Sequence, residues 1–129
     1  VVLINKGLSN FTGESQLSIT GDSSFISHET SEDSKSETIE LIRLSDFIKE
    51  NNIRNIDLVN MNIEGSEYEV LEDILENNTH LIVKSFQIQF HKNVPNYKIK
   101  RAKIHQELSK THKQIWNYNF VWERWDLKV

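Results

Sequence analysis

Asn60, Asn62 and Glu64 stand two residues apart, and Gln89 and His91 repeat that spacing further along the chain. In an extended strand, residues two apart point to the same side. Each group therefore gathers polar side chains on one face, with a titratable residue last. The amides can donate and accept hydrogen bonds but cannot take up a proton, whereas a carboxylate or an imidazole can. An imidazole titrates near pH ~6.5 and can accept a hydroxyl proton at neutrality. Such residues ask for an explanation, since an unpaired amide in a dry interior costs roughly 1–3 kcal/mol. Either they cap a turn and bridge strands, or they line a ligand site. His28, His80, His105 and His112 are scattered, with no recognised metal-ligand spacing among them. No metal site is expected.

Two strands must hold these residues. Ile56 to Ile63 is rich in β-branched and apolar residues and reads as a buried strand. Glu64-Gly65 breaks the run, and Ser66 with Glu69 forms an S-x-x-E capping box, predicting a helix with Tyr68, Val70, Leu71, Ile74 and Leu75 inward. Leu81 to Phe90 reads as the next strand, with Phe86, Ile88 and Phe90 alternating against Gln87, Gln89 and His91. In open α/β sheets, ligands sit beyond the carboxyl ends of the strands, where Asn62, Glu64 and His91 fall.

The rest of the chain supplies neighbours. Val1 to Leu8 reads as a strand, Gln16 to Thr20 as a weak one, and Thr38 to Leu44 as another. Residues 21–37 hold mainly Ser, Thr, Asp and Glu, which predicts a mobile surface loop, either merely solvated or a lid. Ser45 is expected to cap a short helix from Asp46 to Asn51. Pro95 precedes a helix from about Asn96 to Thr111, with Tyr97, Ile104 and Leu108 inward. Lys113 to Val129 carries all three tryptophans in strand-like alternation, with a bend near Tyr118-Asn119, and these aromatics are expected mainly in the core. Alternating strands and helices imply an α/β fold, parallel in its centre with antiparallel strands at one edge.

Bulk properties fit one soluble domain of 129 residues, with 37% hydrophobic and 26% charged content. No apolar run reaches the ~20 residues of a membrane span, and no signal-peptide pattern is present. The absence of cysteine excludes disulfides and fits a cytoplasmic setting. The net charge of −4 hides a segregation: sixteen acidic and four basic residues from Glu14 to Glu76, then eight basic and one acidic from Lys84 to Lys113. A solvated helix face is favoured over a nucleic-acid footprint, because no aromatics are interleaved for stacking.

The stretch from Ile56 to Leu71 resembles the signature of FkbM-type S-adenosylmethionine-dependent methyltransferases: a hydrophobic strand, an acidic turn with Glu-Gly, then a helix. The LSDFI element at Leu44 to Ile48, KGLSNFTG at Lys6 to Gly13, FQIQFH at Phe86 to His91 and FVWERW at Phe120 to Trp125 extend the likeness over nearly the whole chain. The resemblance implies a partial Rossmann-like class I methyltransferase sheet. The glycine-rich cofactor loop and the ribose-binding acid would lie upstream, in roughly two βα units of about 60 residues before Val1. Val1 to Leu8 would be the third strand and Ile56 to Ile63 the fourth.

The same likeness implies an S-adenosylmethionine cofactor flanked by Gly7, Leu8, Ser9, Asn60 and Met61. His91 would be the base, Glu64 and Asn62 would place the acceptor, and the acceptor would be a hydroxyl of a small molecule or sugar. Neither nucleic acid nor membrane is expected as a partner. The oligomeric state is open. The chain departs from the pattern where Asn60 replaces a frequent Lys, Asn62 a frequent Asp and Gln89 a frequent acid. Two readings stand: a branch that relies on positioning, or a non-catalytic copy serving as a binding module. A nicotinamide-binding domain lacks its G-x-G-x-x-G here.

Overall fold

The computed structural model describes the backbone of residues 1–20, 23–27 and 35–129, and the side chains of 1–18 and 36–129. Among the described residues, the strands form two four-stranded mixed sheets, flanked by three α-helices. The fold is α/β.

The first sheet runs β1-β4-β2-β3. It contains β1 (Gly7–Ser9), β2 (Gly13–Thr20), β3 (Ser23–Ser27) and β4 (Lys35–Arg43). Strand β1 pairs parallel with β4, whereas β2 is antiparallel to both β4 and β3. The expected strand at Val1 to Leu8 is thus confined to Gly7–Ser9, and residues 1–6 are exposed without regular structure. Within the predicted 21–37 loop, β3 and the start of β4 are strands, because β2 offers them a ladder partner; residues 21–22 and 28–34 lie outside the described residues.

Helix α1 (Leu44–Glu50) begins earlier than expected, and Ser45 does not cap it. Ser45 is buried inside the first turn. Thr12 takes over the end instead: its Oγ1 accepts from the Arg43 backbone N–H at 3.2 Å and donates to Asp46.

The second sheet runs β5-β6-β8-β7. Its members are β5 (Val59–Met61), β6 (Ser85–Ile88), β7 (His112–Tyr118) and β8 (Trp122–Leu127). Strands β5 and β6 are parallel, with Met61 opposite Ile88, and β8 and then β7 continue antiparallel. The Ile56 to Ile63 run narrows to Val59–Met61 plus a single bridge from Ile56 to Val83. It is not buried on both faces: Leu58, Asn60 and Asn62 are exposed, because they point away from the face that packs into the core with Met61. The strand expected from Leu81 is likewise shortened, since Thr79–Ile82 forms a 3₁₀ turn.

Helices α2 (Glu67–Glu76) and α3 (Tyr97–Thr111) cover one face of this sheet. Tyr68, Leu71 and Ile74 from α2 meet Phe86, Ile88 and Phe90, and Ile104 and Leu108 close the core from α3. Of the tryptophans, Trp125 is buried and Trp116 and Trp122 are half-buried. The first sheet is tied on through Arg43, whose guanidinium donates to the nearly buried Asp73 of α2. Phe86→Ala removes a wholly buried ring and is expected to cost about 3–5 kcal/mol. The check is a lowered urea midpoint at unchanged slope.

A second polar anchor sits under α3. Glu123 of β8 is buried and accepts from Arg101, from His105 Nε2 at 2.6 Å and from Trp125 Nε1 at 2.8 Å. Burial pushes its carboxyl up, but the bonds from His105, Trp125 and Arg101 outweigh it and hold the pKa below the usual value of 4.5. A group held below its unfolded value binds fewer protons when folded, so its contribution is full above pH 4.5 and is lost as pH falls through the lowered value. Glu123→Gln should cost about 3–5 kcal/mol at pH ~7. The gap from wild type, measured by urea unfolding, should shrink steadily as the solution is acidified below pH 4.5.

Candidate active site

The parallel pairing of β5 and β6 brings the two polar groups together. Beyond the last ladder residues, Gln89 N–H donates to the Met61 carbonyl at 3.0 Å, which continues the register. Glu64 and His91 then come to adjacent tips, with Glu64 Oε1 3.6 Å from His91 Nε2. Glu64 is about half exposed and His91 mostly covered, at 46% and 18% of their side chains. Asn62 is exposed on the same rim.

The turn that ends β5 is strained in a specific way. Glu64 has φ +54, a left-handed conformation that costs a non-glycine residue of order 1–3 kcal/mol. Gly65 has φ +109, and a Cβ there would lie 2.7 Å from Asn93 Oδ1. Asn93 Nδ2 in turn donates to the Glu64 carbonyl at 3.0 Å. The segment after β6 thus folds over the turn after β5.

The residue that holds this turn is not one that the sequence pattern singles out. Ser66 occupies the N-cap of α2 in helical conformation and makes no side-chain cap, so the expected S-x-x-E box does not form. Glu67 replaces it. Its Oε1 accepts from the Ile63 N–H at 3.0 Å and its Oε2 from the Gly65 N–H at 2.9 Å. The side chain has no solvent exposure, and Oε1 also lies 2.6 Å from His91 Nδ1. The one signal in the sequence is an acid two residues beyond the glycine, whereas the capping-box spacing points to Glu69.

Tyr68, expected as core, also has a polar duty. Its ring packs on Phe90 while its O–H donates to the His91 carbonyl at 2.6 Å. Burial, helped by the Glu67 charge, raises the phenol to about 12, so it stays a donor throughout the neutral range. His91 is therefore fixed by its backbone and by its ring.

The remaining predicted positions behave differently. Asn60 is exposed and donates to Gln87 Oε1 at 3.1 Å, the strand-bridging role of an amide. Met61, expected at the cofactor, turns its side chain into the core at 2% exposure, because period two sends it opposite to Asn60 and Asn62. Leu8 packs against the same core and Ser9 is buried, its Oγ donating to Asn10 at 3.3 Å. Gly7 is required by Leu41, whose Cδ2 would stand 2.7 Å from an added Cβ. These three lie in the first sheet and against α2. Among the described residues, no three of His, Asp or Glu converge as a metal would require, and no helix is long and apolar enough to cross a membrane.

Gly65→Ala meets both the positive φ and the Asn93 side chain. It should destabilise the protein by about 1–3 kcal/mol and raise amide exchange in the Glu64 turn before it affects the distant β7-β8 pair. Hydrogen exchange read by mass spectrometry checks both.

The family model described as Methyltransferase FkbM domain matches residues 1–126. No curated protein and no solved structure matches the chain. With nearly its whole length covered, the chain belongs to the FkbM methyltransferase domain family.

Proposed function

We propose that this chain belongs to an S-adenosylmethionine-dependent methyltransferase that modifies a hydroxyl oxygen on a small molecule or sugar. The observation that carries the reading is the meeting of Glu64 and His91 at the carboxyl ends of two parallel strands. The order β5-β6-β8-β7, parallel and then antiparallel, supports a Rossmann-like sheet. The donor set at this rim suits the cationic end of such a cofactor. Exposed Asn60 and Asn62 offer amide donors and acceptors, and Glu64 adds a half-exposed carboxylate favourable to a sulfonium. Met61 would contribute through its backbone, and Gly7, Leu8 and Ser9 by shaping the wall rather than by side-chain bonds.

When bound, the sulfonium supplies an electrophilic methyl group. Everything else falls to the chain's own residues. Asn62 and Glu64 hold the acceptor hydroxyl at the rim, and His91 accepts its proton. Alignment of the reacting groups contributes much of the rate in a displacement of this kind. The partners would be small molecules in the cytoplasm, not nucleic acid or membrane. A second reading, a non-catalytic binding module, draws on one observation: the Asn60–Gln87 bond engages amides as a structural bridge.

Calorimetric titration of S-adenosylhomocysteine into the full-length protein should give saturable heat. His91→Ala should keep that binding and lower methyl transfer to a hydroxyl acceptor by about 10²–10⁴-fold. No heat at millimolar ligand would sink the methyltransferase reading. Binding without transfer to any hydroxyl panel would favour the binding module.

A further inference from the structure

Both oxygens of Glu67 are committed as acceptors. Backbone N–H groups can only donate, and Ile63 and Gly65 occupy Oε1 and Oε2 at 3.0 and 2.9 Å. An ionised carboxylate has no proton to give, so the imidazole nitrogen that meets Oε1 at 2.6 Å presents one, which places N–H on His91 Nδ1. A neutral imidazole protonated at Nδ1 has its lone pair on Nε2. That second nitrogen faces the partly exposed side, and Glu64 Oε1 at 3.6 Å is too far for a hydrogen bond. The two backbone bonds cap the turn, but the contact to His91 is not needed for that. A short Ser or Asp at the N-cap serves that purpose, whereas here a longer acid reaches past the turn to an imidazole.

The geometry points to Glu67 as the positioning residue of His91: it fixes the Nδ1–H tautomer and aims the Nε2 lone pair at the acceptor hydroxyl. This rests on the methyl-transfer reading. The acceptor's O–H bond breaks as an N–H bond forms at Nε2, while the Nδ1–H bond is retained. The resulting imidazolium charge is balanced by the Glu67 carboxylate alongside. The proton then passes from Nε2 to water, which restores the starting tautomer. Tyr68 holds the backbone of the same residue at 2.6 Å, so the ring is pinned from two directions.

The test reads the tautomer directly. With ¹⁵N-labelled histidine, two-bond nitrogen–proton correlation at alkaline pH should show His91 of the wild type protonated at Nδ1 and bare at Nε2. In Glu67→Gln, whose amide can donate to Nδ1, that tautomer should fall from dominant to minor. The same variant should lose about 10²-fold in kcat, with the acceptor KM within about twofold. A wild-type His91 protonated at Nε2 overturns the proposal without any variant, so it stays testable if the substitution unfolds the protein. An unchanged tautomer or unchanged kcat in Glu67→Gln overturns it as well. Failure of cofactor binding would show separately in the calorimetry, because the wild-type tautomer is read without cofactor.

Discussion

A carboxylate with no access to water must find every partner within the protein, and Glu67 finds them in three places. It accepts from the last residue of the β5 run, from the glycine of the turn and from the imidazole at the end of β6. Removing a buried charge from its partners costs several kcal/mol, so the three places are not independent. The turn cannot open without releasing Glu67, and β6 cannot shift in register without withdrawing His91. The short β5 ladder follows from the same constraint. After Met61 the backbone is claimed by the helix start rather than by the neighbouring strand.

A second buried acid uses the same device with different partners. Glu123 draws Arg101 and His105 of α3 and Trp125 of its own strand into one cluster. Arg101 also lies over the rings of Phe120 and Phe90, so its guanidinium is packed as well as paired. The basic stretch of the sequence thus divides. Arg101 is turned inward as a fastening for α3, while Lys98, Lys103 and Lys110 remain on the exposed face. Phe90 links the two anchors, touching Tyr68 on one side and His105 on the other.

Asn60 spans to Gln87 across the strand pair, one amide donating to the carbonyl oxygen of the other. The titratable groups lie one step further out. Glu64 and His91 occupy the tips, and Glu67 and Tyr68 stand beneath them.

The sequence by itself determined the α/β class, the positions of α2, α3 and the last two strands, and the alternation that buries Phe86, Ile88 and Phe90. Those are short-range properties: hydrophobic period, helix-starting residues and breakers act over a few neighbours. It also placed Asn62, Glu64 and His91 past the carboxyl ends of β5 and β6, although the expected alternation stops at Met61 and Glu64 sits in a left-handed turn. Strand pairing was decided elsewhere. Whether Gly7–Ser9 joins β4 or the second sheet depends on partners far along the chain, as does the strand character of Ser23–Ser27. The replacement of Ser66 by Glu67 at the turn was equally invisible. A serine is the better local cap, but only the folded chain brings His91 to within 2.6 Å and makes the longer acid the more fully satisfied choice.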